Sequence, residues 1–446
     1  MAIVIGTVIG SGIFLVPTDM IKAVGSPQTL FAVWIFGGVL SLFGALSYAE
    51  LSAAMPHSGG EYVYLNAAYG PFFGFLYGWT QTWVAKPASI AALATAFYSY
   101  LADFVPGLQN ALYIIDLPIG PGGGPLEIRY GQLVAIGLIV FLSGVNYLGV
   151  RAGGGVQVSV TILKVALIFG VIVVGLTSRE ADFGNLRSGM VANPGGPAGF
   201  FVALVAALWA YDGWNNAGML GSEIERPQRT LPLALIGGTL AVIGIYLLAN
   251  LAYFSVLTGA EVGGSARVAA DMMRRIAGSG GAAAVSIAAM ISIFAALNGS
   301  ILSGSRVPYA MARDGYFFKA IGRVNPEHRT PSASILLLGA WSSLLVLSGH
   351  YSELYTLVIF PSWILYGMTA AAVIVLRRRR PDLERPYRVW GYPWTPILFV
   401  AVTLALIYST LLQSPRESGI GLVLIVVGFP FYRYWKRARR GPTSQY

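Results

Sequence analysis

Long apolar runs separated by short polar punctuation organise this chain. Twelve runs reach the roughly 17 residues needed to cross the hydrocarbon core of a bilayer: Ile3–Val24, Leu30–Met55, Phe72–Leu101, Tyr130–Gly149, Val156–Leu176, Gly199–Leu220, Leu231–Leu257, Ala282–Met311, Ser332–Ser348, Leu354–Leu376, Pro396–Gln413 and Gly419–Trp435. None shows the two-residue alternation that marks the strands of a membrane barrel. The pattern therefore predicts an all-α membrane protein with twelve transmembrane helices. The longest polar stretch, 106–128, is built around Gly120-Pro121-Gly122-Gly123-Gly124-Pro125. That is turn chemistry, too short for a separate domain, so residues 1–446 are expected to form one transmembrane unit.

Two of the runs are interrupted. The first reads Gly6-Thr7-Val8-Ile9-Gly10-Ser11-Gly12-Ile13-Phe14, and each glycine costs about 1 kcal/mol of helix propensity against alanine. Gly6 and Gly10 make a G-x-x-x-G packing face. Alternatively, the segment unwinds inside a protein-enclosed cavity, and its bared amides hold a carboxylate at the positive end of the half-helix that follows. The sixth run carries Trp209-Ala210-Tyr211-Asp212-Gly213-Trp214-Asn215-Asn216-Ala217-Gly218, polar groups that are costly in mid-membrane unless they face a cavity. Runs one and six hold equivalent places in two successive five-span halves, about 1–180 and about 197–380, with helices 11 and 12 following over about 395–436. Interrupted spans at matching positions point to a transporter site at the bilayer midplane. The expected architecture is thus a five-plus-five inverted repeat with broken helices 1 and 6 plus two C-terminal helices.

Single residues sharpen the picture. Asp212 is a candidate ligand for a substrate cation, a proton carrier or a cap on the broken helix. Trp209 beside the break is suited to covering a small ligand as a gate, though it and Tyr211 also fit an ordinary core. Lys164 lies about eight residues, or about 12 Å, inside the fifth span. That depth strains snorkelling to the interface. The carbonyls freed by the break in span one are its expected partners, where its charge would replace a bound sodium ion or carry a proton. Lys86 precedes Pro87 and is read chiefly as part of a bend with structural pairing. Asn298, Ser300 and Ser303 on span eight either glue helices together or face the Lys164 region.

Composition narrows the class. Hydrophobic residues make up 56% of the chain and charged residues 11%, against about 25% charged in soluble domains, which excludes a soluble protein. There is no cysteine, so disulfides, thiolate metal sites and a cysteine nucleophile are excluded. The three histidines, His57, His328 and His350, each sit between apolar segments; no metal and no cofactor are expected. The net charge of +10 is spread unevenly: with the N-terminus inside, 19 of the 29 Lys and Arg fall on the cytoplasmic side, 8 outside and 2 within spans. Both termini are therefore expected in the cytoplasm. The run Arg377 to Arg380 reads as a stop beside anionic lipid, not as a nucleic-acid patch. No G-x-x-x-x-G-K-[ST], H-E-x-x-H or G-x-S-x-G occurs, so neither an ATP-driven pump nor a membrane hydrolase, nor any other enzyme, is expected. Met1 falls almost at the first span, so a short polar segment is expected ahead of it in the natural protein, and no cleavable signal peptide is expected.

These features taken together resemble the L-type branch of the amino acid–polyamine–organocation superfamily, which includes the light subunits of heteromeric amino-acid transporters and their bacterial homologues. The motifs that carry the resemblance are Ile9-Gly10-Ser11-Gly12-Ile13-Phe14, Trp209 to Asn215, Glu223-Ile224-Glu225-Arg226-Pro227-Gln228-Arg229-Thr230-Leu231-Pro232, Asn298-Gly299, Ala312-Arg313-Asp314-Gly315 and Leu383-Glu384-Arg385-Pro386-Tyr387. The resemblance implies twelve spans and sodium-independent exchange or uptake of amino acids. It implies that Ile9, Gly10, Ser11 and Gly12 meet the substrate carboxylate and that backbone around Trp209, Ala210 and Tyr211 meets its amino group. Trp209 falls at the family's gating aromatic, Lys164 at the helix-five lysine of many bacterial members, and Asp212 at an acidic position of the branch handling cationic and neutral amino acids. Animal light subunits link to a heavy chain through a cysteine after the third span; with none here, no disulfide-linked heavy chain is expected.

The expected function is alternating-access transport of small to medium neutral L-amino acids across a bacterial inner membrane, by exchange or uptake. The substrate side chain is expected to point past Trp209 towards helices three and eight. A cationic/neutral exchanger and a proton-coupled permease are the alternatives, with a channel or a non-transporting sensor more remote. The expected partners are the amino-acid substrate and the lipid bilayer, with the protein a monomer or homodimer and no nucleic acid bound.

Overall fold

The computed structural model describes residues 1–115, 126–187, 195–347, 351–413 and 415–438, with the side chains of 351–359, 416 and 417 outside that description. The turn at 120–125, His350, Arg439 and Arg440 lie outside the described residues. The path begins with α1 (Ala2–Val8), α2 (Gly12–Val24), α3 (Pro27–Ala54), a short α4 (Glu61–Tyr69), α5 (Pro71–Thr80) and α6 (Lys86–Leu101). A two-stranded ribbon, β1 (Ala111–Ile115) with β2 (Leu126–Arg129), leads to α7 (Tyr130–Tyr147), α8 (Val150–Thr177) and α9 (Gly196–Tyr211). Then come α10 (Pro227–Val256), α11 (Gly259–Gly264), α12 (Val268–Gly304), α13 (Arg306–Arg313), α14 (Ser332–Val346), α15 (Tyr351–Arg379), α16 (Trp394–Gln413) and α17 (Pro415–Ala438).

Nine described helical segments are long and apolar enough to span a membrane, and the pair α1 and α2, bent by 46°, makes a tenth. The two other predicted spans depart from simple rods. Residues 332–346 form an apolar helix of 15 residues. The third span runs from α5 into α6 through a π-helical turn, Gln81–Ala85. Pro87 explains the turn: it has no N–H to give the carbonyl of Trp83, and that carbonyl accepts instead from the Trp341 indole at 2.8 Å.

The polarity of the helices is reversed relative to a soluble bundle. On α8 the buried stripe is Gly153, Gln157, Thr161, Lys164 and Ile168, while Val158, Ile162, Leu163 and Phe169 are exposed. Apolar side chains meet lipid, and the polar stripe is spent inside against α1, where the Thr161 hydroxyl donates to Ala2 O at 3.3 Å. Around α1 and α2, α3 packs along α10, α12 against α6 and α8, and α2 against α9. Helices α16 and α17 lie outside this core, against α3, α15 and α5. Buried ions fasten the helix ends. Glu50 on α3, 2% exposed, accepts from Arg377 Nη2 at 2.6 Å and from the Val389 amide at 2.8 Å.

Candidate functional site

The first break follows from the sequence Ile9-Gly10-Ser11. Helix α1 stops at Val8, Ile9 turns extended (φ −75°, ψ 92°), and α2 restarts at Gly12. Stopping a helix orphans its last carbonyls, and three other helices supply the donors. The Lys164 ammonium on α8 donates to Gly6 O at 2.7 Å and to Ile9 O at 2.5 Å. The Ser292 hydroxyl on α12 donates to Ile9 O at 3.0 Å. Tyr246 on α10 places its hydroxyl 2.9 Å from Val8 O and 2.8 Å from Ala210 O, so its single proton ties one break to the other.

The second break is Asp212-Gly213. Asp212 is extended (φ −63°, ψ 148°), and Gly213 takes φ 102°, a left-handed conformation that a side chain would strain. A 3₁₀ turn, Trp214–Met219, continues the chain. The two breaks abut, with the Thr7 hydroxyl 3.0 Å from Gly213 O. A Cβ on Gly12 would lie 2.6 Å from Ala210 Cα, so only glycine lets α2 approach α9 this closely. Gly12→Ala must push two backbones apart, a packing cost of about 1–3 kcal/mol. We expect it to lower initial uptake into proteoliposomes about tenfold, and wild-type rates would show that the close approach is not required.

Between the breaks lies a narrow cavity of about 20 Å³. Gly10, Ser11 and Gly12 line it from the first break, and Trp209, Asp212 and Gly213 from the second. The opposite wall is Lys86, Ser89 and Leu93 of α6, with Ser300 of α12. Its polar groups are complementary to a zwitterion. The start of α2 presents the Gly12 and Ile13 amides at the positive end of the helix, ahead of its first bond from the Phe14 amide to Ser11 O at 3.1 Å. Asp212, which accepts from the Tyr366 hydroxyl at 2.9 Å, supplies a carboxylate. Lys86 supplies an ammonium, which donates to Asn216 Oδ1 at 2.5 Å.

The residues singled out in the sequence are placed as follows. Gly10, Ser11, Gly12, Trp209, Asp212 and Ser300 line the cavity. Ile9, Ala210 and Tyr211 do not. The Ile9 and Ala210 carbonyls are taken by Lys164 and Tyr246, and the Tyr211 ring turns away to pack on Trp34 and Tyr246. Lys164 is fully buried behind the first break and caps it from outside the cavity. Asn298 sits in a separate polar knot, bonded to Asn146 at 2.9 Å, Gln157 at 2.9 Å and Gly153 O at 3.1 Å, which ties α12 to α7 and α8. Ser303 donates to Gly299 O on its own helix at 2.7 Å. Lys86, read from the sequence chiefly as part of a bend, is a wall residue as well; an intramembrane charge is the signal that marks it. Thr7, Tyr246, Ser292 and Tyr366 carried no sequence signal, since one hydroxyl in an apolar helix looks the same whether it caps a break or packs.

Known proteins of similar sequence are transporters. The family model described as amino acid permease matches residues 1–429. The chain is 33% identical to the serine/threonine exchanger SteT of Bacillus subtilis, over 98% of this chain and 96% of that protein. It is 31% identical to the mouse b(0,+)-type amino acid transporter 1, over 100% and 90%. It is 30% identical to the human cystine/glutamate transporter, over 97% and 83%.

Proposed function

Since the chain belongs to the amino acid permease family, we propose that it carries small to medium neutral L-amino acids across the membrane by sodium-independent alternating access. The observation that carries this reading is the cavity shared by the two helix breaks. The substrate carboxylate sits on the amides of Gly10 to Gly12, favoured by the positive end of α2. The ammonium lies at the end of α9, where Trp209 and Asp212 line the cavity. Trp209 covers the ligand as a gate, and the side chain points to Ser89, Leu93 and Ser300. Lys86 and Asp212 give the cavity one charge of each sign, which favours a side chain with no net charge. Sodium independence is supported by Lys164, whose ammonium occupies the carbonyls of the first break.

The surplus of Lys and Arg on one side of the spans supports a bacterial inner-membrane protein with both termini in the cytoplasm. With no cysteine in the chain, it works without a disulfide-linked heavy chain. The presence of Asp212 in the cavity favours a second reading, exchange of cationic as well as neutral amino acids.

The test is uptake of radiolabelled L-serine, L-threonine, L-alanine, L-leucine, L-lysine and L-glutamate into proteoliposomes, empty or preloaded with unlabelled amino acid. We expect serine or threonine to move fastest, stimulated by preloading and unchanged when choline replaces sodium. Lysine moving fastest selects the second reading. No amino acid above the protein-free background rejects both.

A further inference from the structure

One buried acid has no place in the transport scheme above. Glu61 opens α4, the short helix between the second and third spans, and is 0% exposed. Its Oε1 accepts from the Asn215 amide; its Oε2 makes no hydrogen bond. It forms no ion pair among the described residues. The groups that face it are Tyr48 of α3, Tyr64 of its own helix, Tyr77 of α5, Lys86 of α6, Tyr366 of α15 and Asn215 of the 3₁₀ turn.

Charge counting identifies which acid is left over. This cluster holds two carboxyls, Glu61 and Asp212, and one ammonium, Lys86. Lys86 and Asp212 line the same cavity, Asp212 is the acid that weighs more on the ammonium, and Asp212 accepts a hydrogen bond from the Tyr366 hydroxyl at 2.9 Å, so the positive charge falls first to Asp212. Ionising Glu61 as well would leave an uncompensated buried negative charge, which is among the most expensive arrangements in a folded protein. Burial accordingly pushes the Glu61 carboxyl above the usual carboxylate range.

The position of Glu61 gives that proton something to act on. Asn215 and Asn216 are neighbours on the 3₁₀ turn; the first binds Glu61 and the second binds Lys86 in the cavity wall. The loop that carries α4 is docked on the same segment, with the Gly59 amide donating to Met219 O at 3.0 Å and Ser58 paired with Ser222. We propose that Glu61 is a proton-binding site that couples transport to pH: it holds a proton while α4 is docked on the 214–219 turn and releases it to water when the two part. The proton arrives on the carboxyl from water on the α4 side and returns to water on that side when α4 and the turn part. In the docked state the neutral acid tolerates its dry surroundings. In the undocked state the carboxylate is hydrated and titrates in the ordinary range near about 4.3. High pH therefore opposes docking and slows the cycle.

This proposal rests on the transport reading above, and the tests separate the two. The amino acid carried fastest in the panel, expected to be L-serine, is measured with equal pH inside and outside the vesicles. We expect the wild-type initial rate to fall about tenfold between about pH 5.5 and about pH 7.5. Glu61→Gln, which mimics the neutral acid, should hold a rate near the wild type's acid value and vary less than about twofold over that range. A Glu61→Gln variant with the wild-type slope overturns the proposal, since the pH dependence then belongs to another group. So does a variant that binds amino acid yet is inert at every pH. Infrared spectra need no flux: the purified wild type should show at about pH 5.5 a protonated-carboxyl C=O stretch that weakens towards about pH 7.5, that Glu61→Gln removes, or that Glu61→Asp shifts if the amide variant does not fold. No such band in the wild type, or the same band in the variants, overturns the proposal even if transport itself is established.

Discussion

Lys164→Ala is expected to lower amino-acid transport about 100-fold while the protein still folds and inserts. The reason lies in which atoms the ammonium serves. Where α1 stops, the carbonyls of Gly6 and Ile9 lose the amides that a continuous helix would supply four residues on. The Lys164 ammonium takes both places, at 2.7 Å and 2.5 Å. Alanine leaves the Gly6 carbonyl without that donor, and leaves the Ile9 carbonyl with the Ser292 hydroxyl as its side-chain donor. Each orphaned buried acceptor costs about 1–3 kcal/mol, and every 1.4 kcal/mol that falls on the rate-limiting step is worth about tenfold in rate. Lys164→Met keeps most of the bulk and removes the charge, so it separates capping from packing. If the charge matters, both variants lose transport and elute as monodisperse protein with a lowered melting temperature. Wild-type kinetics in either variant would mean that the break holds its shape without the ammonium and that the residue only fills space.

Lys164 also shows what a sequence exposes and what it hides. An ammonium eight residues deep in an apolar run has few explanations, and the nearest broken helix was the natural supplier of carbonyls. The breaks themselves were legible for the same reason: Gly10-Ser11-Gly12 and Asp212-Gly213 violate the composition of a lipid-facing helix and do so at matching positions. The partners that finish the site were not legible. Tyr246 and Ser292 are single hydroxyls in helices α10 and α12, and what makes them capping groups is an alignment with residues more than 200 positions away. For Asn298 the sequence allows either gluing helices together or facing the Lys164 region; its partners Asn146 and Gln157 are more than 140 positions distant, so only packing separates the two. The third span illustrates a local rule with a non-local outcome. Pro87 had to free a carbonyl, yet only the fold brings Trp341 to receive it.

Glu223→Ala is expected to destabilise the protein more than Arg306→Met, although each removes half of one ion pair. The pair is bidentate, with Arg306 Nε to Glu223 Oε1 at 2.8 Å and Nη2 to Oε2 at 2.9 Å. The two halves differ in burial: the Arg306 side chain is 1% exposed and that of Glu223 25%. Removing the arginine leaves a carboxylate that water can reach. Removing the glutamate strands a guanidinium at the junction of α12 and α13, with only the Leu302 carbonyl at 2.6 Å and the Ser305 hydroxyl at 2.9 Å as acceptors. Breaking a buried pair in that direction costs about 3–5 kcal/mol, because the charge cannot be neutralised by losing a proton. In detergent this corresponds to a melting temperature lower by about 5 °C or more for Glu223→Ala, with Arg306→Met closer to wild type. The double variant should recover much of the loss, since two absent partners leave no buried charge behind. Equal shifts for the two single variants would mean that water already reaches the guanidinium. The pair would then count as an exposed ion pair, too weak to anchor the segment that follows the second break.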